Sequence, residues 1–111
     1  MLFRSLAEAQ KAISRAISLD PDDAATRALA GKIFLDGKDY KAAVEQLEMA
    51  VRLQPAQVYA HHLLRTAYLA LDDHDKAAEE LKQIVRFTKE NTDSDQVRLS
   101  MERLLFSVRP Q

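Results

Sequence analysis

The sequence repeats itself every 34 residues, and that period limits the folds open to it. Pro21 and Pro55 stand 34 residues apart. The same step links Ala9 to Ala43 and Ala77, and Ile13 to Leu47 and Leu81. It also links Ala16, Ala50 and Ile84, then Ile17, Val51 and Val85, then Leu19, Leu53 and Phe87. Phe34 and Tyr68 form one further pair. For the most part small residues fall on small and large on large. A unit of this length cannot bury its apolar face alone, so successive units must stack into an elongated array.

Each period holds two helical patterns. In the second half Ala43, Leu47, Ala50 and Val51 recur at spacings of three and four, which places them on one helical face. In the first half Ala30, Ile33, Phe34 and Gly37 do the same. Small Ala43 and Ala50 allow a neighbouring helix to approach closely. Asp20-Pro21-Asp22-Asp23 stops one helix and starts another, because proline cannot continue a helix and acidic residues favour a first turn. Gly37 is expected in the left-handed conformation at a helix C-terminus. Asp39 is expected to cap the helix that follows. Leu71-Asp72-Asp73-His74 is the same turn one period later, without a glycine.

The pattern resembles the tetratricopeptide repeat, a 34-residue helix–turn–helix with preferred residue types at eight positions. In residues 24–57 those positions hold Arg27, Ala30, Gly31, Phe34, Ala43, Leu47, Ala50 and Pro55. Arg27 stands where the family favours an aromatic ring. In residues 58–91 they hold His61, Leu64, Arg65, Tyr68, Ala77, Leu81, Ile84 and Lys89, with Arg65 and Lys89 departing from the pattern. Before Pro21 only the second helix of a repeat fits, through Ala9, Ile13 and Ala16. The resemblance implies an all-α, right-handed solenoid of about six antiparallel helices in one domain. Its parts are residues 5–20, the second helix of an incomplete repeat; repeats at 24–57 and 58–91; and a capping helix at 94–108. By this register Met1–Arg4 would close a first helix that is missing, as in a segment of a longer repeat protein. In the capping helix Val97, Met101, Leu104, Leu105 and Val108 form an apolar stripe three residues out of register. Asp93 and Gln96 precede it as a capping box.

The resemblance also implies where a ligand would sit, since the first helix of each family repeat lines the concave surface. That points to Ala28, Leu29, Lys32 and Leu35 on one helix and to Tyr59, His62, Leu63, Thr66 and Leu69 on the next. After the three-residue shift, Leu99, Arg103 and Phe106 extend the strip. An apolar groove of this kind is expected to take an amphipathic helix or an extended peptide. Family members that grip a C-terminal carboxylate use lysine, asparagine and arginine. The matching positions here are Ala28, Lys32, Leu63, Asp93 and Val97, of which Lys32 alone could serve. Two other expectations stand beside the groove. The face around Ile13, Ala16 and Ile17 could drive homodimer formation, and similar architectures serve as secretion or assembly chaperones.

Composition narrows the remaining classes. Lys+Arg is 16 and Asp+Glu is 17, for a formal net charge of −1, which argues against a nucleic-acid binder relying on phosphate neutralisation. There is no cysteine, so thiolate chemistry is excluded, and that absence suits cytosol and periplasm alike. No apolar run approaches the ~18 residues of a membrane span. With only Gly31 and Gly37 there is no glycine-rich phosphate loop, and no Gly-x-Ser-x-Gly elbow occurs. The adjacent His61 and His62 point about 100° apart on a helix and cannot chelate a metal from one face. His61 is expected to be partly buried and bonded to backbone or to a carboxylate. Glu48 is expected to pair with Arg52, and the acidic pairs Asp72-Asp73 and Glu79-Glu80 are expected at turns or on solvent faces. Neither an enzyme site nor a cofactor or metal is expected.

Overall fold

The structure is a computed structural model, and it describes residues 5–92 and Arg103. Among residues 5–92 five helices run in order: α1 (Leu6–Leu19), α2 (Ala24–Asp36), α3 (Tyr40–Leu53), α4 (Val58–Ala70) and α5 (His74–Thr92). Each packs on the next, and α2 also reaches α4. The chain is all-α, and its helices follow the repeat pattern. The expected helix at 94–108 lies outside the described residues, apart from Arg103, which is helical and exposed. Met1–Arg4 lie outside them as well.

The helices begin where short side chains can satisfy free backbone N–H groups. Ser5 accepts from Glu8 N at 3.2 Å, Asp39 from Ala42 N at 3.3 Å and Asp73 from Lys76 N at 3.2 Å. Asp23 accepts from Ala25 N at 3.1 Å and from the Thr26 hydroxyl at 2.8 Å. The Thr26 bond leads the effects that hold the Asp23 carboxyl below its ordinary value. Gln57, at the same place before α4, makes no side-chain cap.

The two turns within the helix pairs have one geometry, and it corrects the expectation for Gly37. Gly37 has φ −86°, and the left-handed residue is Lys38, at φ 61°. One period later Leu71 has φ −87° and Asp72 has φ 63°. Lys38 N donates to Leu35 O at 2.9 Å, and Asp39 N to Phe34 O at 2.9 Å. Asp72 N donates to Leu69 O at 3.1 Å, and Asp73 N to Tyr68 O at 2.8 Å. Both are Schellman turns, which satisfy the last carbonyls of the helix through a residue in the left-handed region. A Cβ at Gly37 would lie 2.5 Å from Leu6 Cδ2, the movable end of a partly exposed side chain at the start of α1.

The core is built from small residues around a few large ones. Ala28, Ala43, Leu47, Ala50, Ala60, Leu64, Tyr68 and Ala77 form one buried cluster, with Leu47 and Leu64 its largest fully buried side chains. Gly31 lets α2 come down onto Leu47, since a Cβ at that position would sit 2.3 Å from Leu47 Cγ. The series Ile13, Leu47, Leu81 does not hold throughout. Ile13 and Leu47 are buried, but Leu81 is 44% exposed on the outer side of α5, where it lines a shallow apolar surface with Ala78 and Val85.

Candidate partner-binding surface

The first helices of the two pairs, α2 and α4, present most of the predicted strip. Leu29 is 51% exposed, Tyr59 52% and Leu69 42%. His62 and Thr66 are also exposed, and Lys32 is half-buried. Leu35 and Leu63 are half-buried and pack against the core. Ala28 is a correction: at 2% exposure it belongs to the core cluster and offers no surface to a ligand. Arg103 is exposed, and Leu99 and Phe106 lie outside the described residues.

The strip carries little free charge. Lys32 Nζ sits 3.0 and 3.1 Å from the two Asp36 carboxylate oxygens, an i, i+4 pair one turn along α2. The hydrogen bond to Asp36 and then its charge hold the lysine above its ordinary value, and the field of Tyr59 adds a smaller contribution. Lys32 is thereby paired within its own helix, and α4 presents Tyr59, His62, Thr66 and Leu69. The face around α1 is less open than expected. Ile13 is buried and Ala16 and Ile17 are half-buried, with a shallow cavity of about 180 Å³ between Ala9, Ala12, Ile13, Ala16, Leu29 and Ile33.

Behind the strip lies a polar arrangement that the two repeats share and that sequence alone did not reveal. Arg27 Nε donates to Pro21 O at 3.0 Å, and its Nη1 donates to Gln46 Oε1 at 2.9 Å. One period on, His61 Nε2 lies 2.7 Å from Pro55 O, and its Nδ1 lies 2.6 Å from Glu80 Oε2. All three positions advance by the same step, Arg27 to His61, Pro21 to Pro55 and Gln46 to Glu80. A polar side chain thus stands where the family favours an aromatic ring, and it ties the preceding proline turn to the second helix of its own pair. His61 is 5% exposed and stacks on Phe87 with ring centroids 5.6 Å apart. Its expected backbone and carboxylate partners are both present. Glu80 is the correction: it faces His61, whereas Glu79 does lie on the solvent side, bonded to Lys82. Nor does Glu48 pair with Arg52; it accepts the Tyr68 hydroxyl at 2.8 Å. Burial and then the Glu48 carboxylate push the Tyr68 phenol well above its ordinary value, so it remains a donor.

Residues 24–57, helices α2 and α3 with their flanking turns, match the family model described as a tetratricopeptide repeat. This segment belongs with the tetratricopeptide repeats. Helices α4 and α5 reproduce the turn and the polar tie of that repeat one period later. No curated protein matches the chain. Tetratricopeptide repeats generally mediate protein–protein interaction, and the family is generally non-enzymatic. Among the described residues no helix is long and apolar enough to cross a membrane.

Proposed function

We propose that the chain is a non-enzymatic recruiting module that binds an apolar peptide or an amphipathic helix along the outer strip of α2 and α4. The observation that carries this reading is the exposure of Leu29, Tyr59 and Leu69 on two successive first helices, with Lys32 on α2 paired to Asp36. Apolar side chains left in water on neighbouring elements favour a ligand that covers them, at about 25 cal/mol per Å² of apolar area removed from water. A flat aromatic such as Tyr59 adds contact area at low entropic cost, because two dihedral angles fix it.

The test is selection from a phage-displayed peptide library on the folded chain. Enriched peptides should be rich in apolar residues. Leu29→Glu and Tyr59→Glu should each weaken binding at least tenfold while the helical circular dichroism is kept, since both side chains are half exposed. Lys82→Glu, on the outside of α5, should leave binding unchanged. Selected peptides that bind both strip variants as well as the wild type would refute the assignment. Leu63 is a poorer test because it packs against the core, so its loss mixes binding with folding.

A further inference from the structure

The polar tie described above has a chemical requirement that differs between the two repeats. A proline carbonyl accepts hydrogen bonds and never donates. Arginine carries only donors, so Arg27 satisfies Pro21 O and Gln46 Oε1 at any ordinary pH. In the second repeat the partners are Pro55 O and a carboxylate, both acceptors. A neutral imidazole has one N–H and one lone pair, so against two acceptors one ring nitrogen would face an oxygen with no proton between them. The imidazolium has two N–H groups and fits both. At 2.6 and 2.7 Å both ring nitrogens stand within hydrogen-bond distance of an acceptor oxygen.

Charges of both signs surround the ring. The 54–57 turn presents the Pro55 carbonyl, and α5 presents Glu80 and the Phe87 ring. From α3 Glu48 reaches the neighbouring Tyr68, on which Glu48, Glu80 and Asp73 all act. Arg86 lies over the Phe87 ring at 5.0 Å from its centroid, and Lys76 over Tyr68 at 5.7 Å. These cations neighbour the two rings, while the side chain bonded to the imidazole is a carboxylate.

We propose that His61 and Glu80 form a proton-dependent latch, in which the folded protein holds His61 as an imidazolium that ties the Pro55 turn to α5, while Arg27 is the permanently charged counterpart in the first repeat.

Two measurements test it. The first is ¹⁵N NMR of the wild-type ring nitrogens at pH 7.5, with exposed His62 as reference in the same spectrum. The latch requires that both His61 nitrogens carry protons; one unprotonated His61 nitrogen in the folded protein overturns it. The second uses Glu80→Gln. The side-chain amide introduced by this substitution can donate to Nδ1, so neutral His61 keeps both bonds and the obligatory proton disappears. In the same spectrum of Glu80→Gln one His61 nitrogen should be unprotonated, and two protonated nitrogens there overturn the role given to Glu80. The wild-type spectrum decides the question whether or not the variant folds.

Discussion

The close approach of α2 to Leu47 gives the sharpest test of the packing. In Gly31→Ala the new Cβ would lie 2.3 Å from Leu47 Cγ, 2.4 Å from Cδ2 and 2.9 Å from Cδ1. Carbon atoms in contact settle at about 3.5–4.0 Å, so something must retreat by more than about 1 Å. The clash involves the branch point of Leu47 and both of its methyls, so no rotation of a free end relieves it. Leu47 is fully buried, with Ala43, Ala50 and Leu64 in the same cluster. Against this, alanine in place of glycine favours a helix interior by about 1 kcal/mol. Overpacking costs about 1–3 kcal/mol, and a fully buried neighbour puts this case at the upper end. The net is a loss of about 2 kcal/mol, or roughly 10 °C in Tm. Urea unfolding followed by circular dichroism measures it. The double variant Gly31→Ala with Leu47→Ala supplies the control, because the methyl then enters space vacated by the leucine. It should cost about 1–2 kcal/mol less than the two single losses added together. Gly37→Ala should stay within about 0.5 kcal/mol of wild type, since it meets the outer end of half-exposed Leu6. A Gly31→Ala protein as stable as wild type, with no coupling to Leu47, would show that α2 does not descend onto α3 as described.

The turn residues yield two more predictions. Lys38→Gly and Asp72→Gly should each raise stability by about 0.5–1 kcal/mol in the same urea assay, because each relieves a left-handed residue with a Cβ at a Schellman turn. Destabilisation by both would mean that Lys38 or Asp72 makes a contact outweighing that strain. Gln57→Asp should also stabilise, by about 0.5–2 kcal/mol, because it installs before α4 the cap that Asp23 gives α2 and removes a buried Gln57 Oε1 that has no hydrogen-bond partner. A drop in Tm for that variant would mean that the amide nitrogen of Gln57 matters more than its orphaned oxygen.

The backbone plan is legible in the sequence because it repeats. Pro21 and Pro55 mark the joints between the helix pairs, and Ala43, Leu47 and Ala50 mark the buried stripe of α3. Sequence and structure part where one residue has two physical uses. Gly37 reads as a left-handed cap because glycine most often serves there, yet its φ is negative and the strain falls on Lys38. Register places Ala28 on the ligand face, but a side chain this short ends within the core. The same register places Leu81 in the core, and among the described residues nothing covers it. Glu80 reads as solvation because its neighbour Glu79 is just that. Pairing Glu80 with His61 requires knowing which faces of α4 and α5 meet, and a chain read linearly does not give this. One signal is present: the polar residues Arg27 and His61 stand 34 residues apart, as do Gln46 and Glu80.

That shared polar position bears on how the surface is held. An aromatic ring at this position would stabilise by apolar burial, which is non-directional and tolerates small shifts of the helix carrying it. A two-armed polar tie is directional, since hydrogen bonds weaken steeply away from their preferred distance and angle. Arg27 and His61 each fix a first helix against the proline turn before it and the second helix after it. Leu29, Tyr59 and Leu69 ride on those same first helices, and Tyr59 is two residues from His61. Each tie thus orients one first helix within its own pair, while the approach of successive pairs rests on the apolar core around Leu47 and Leu64.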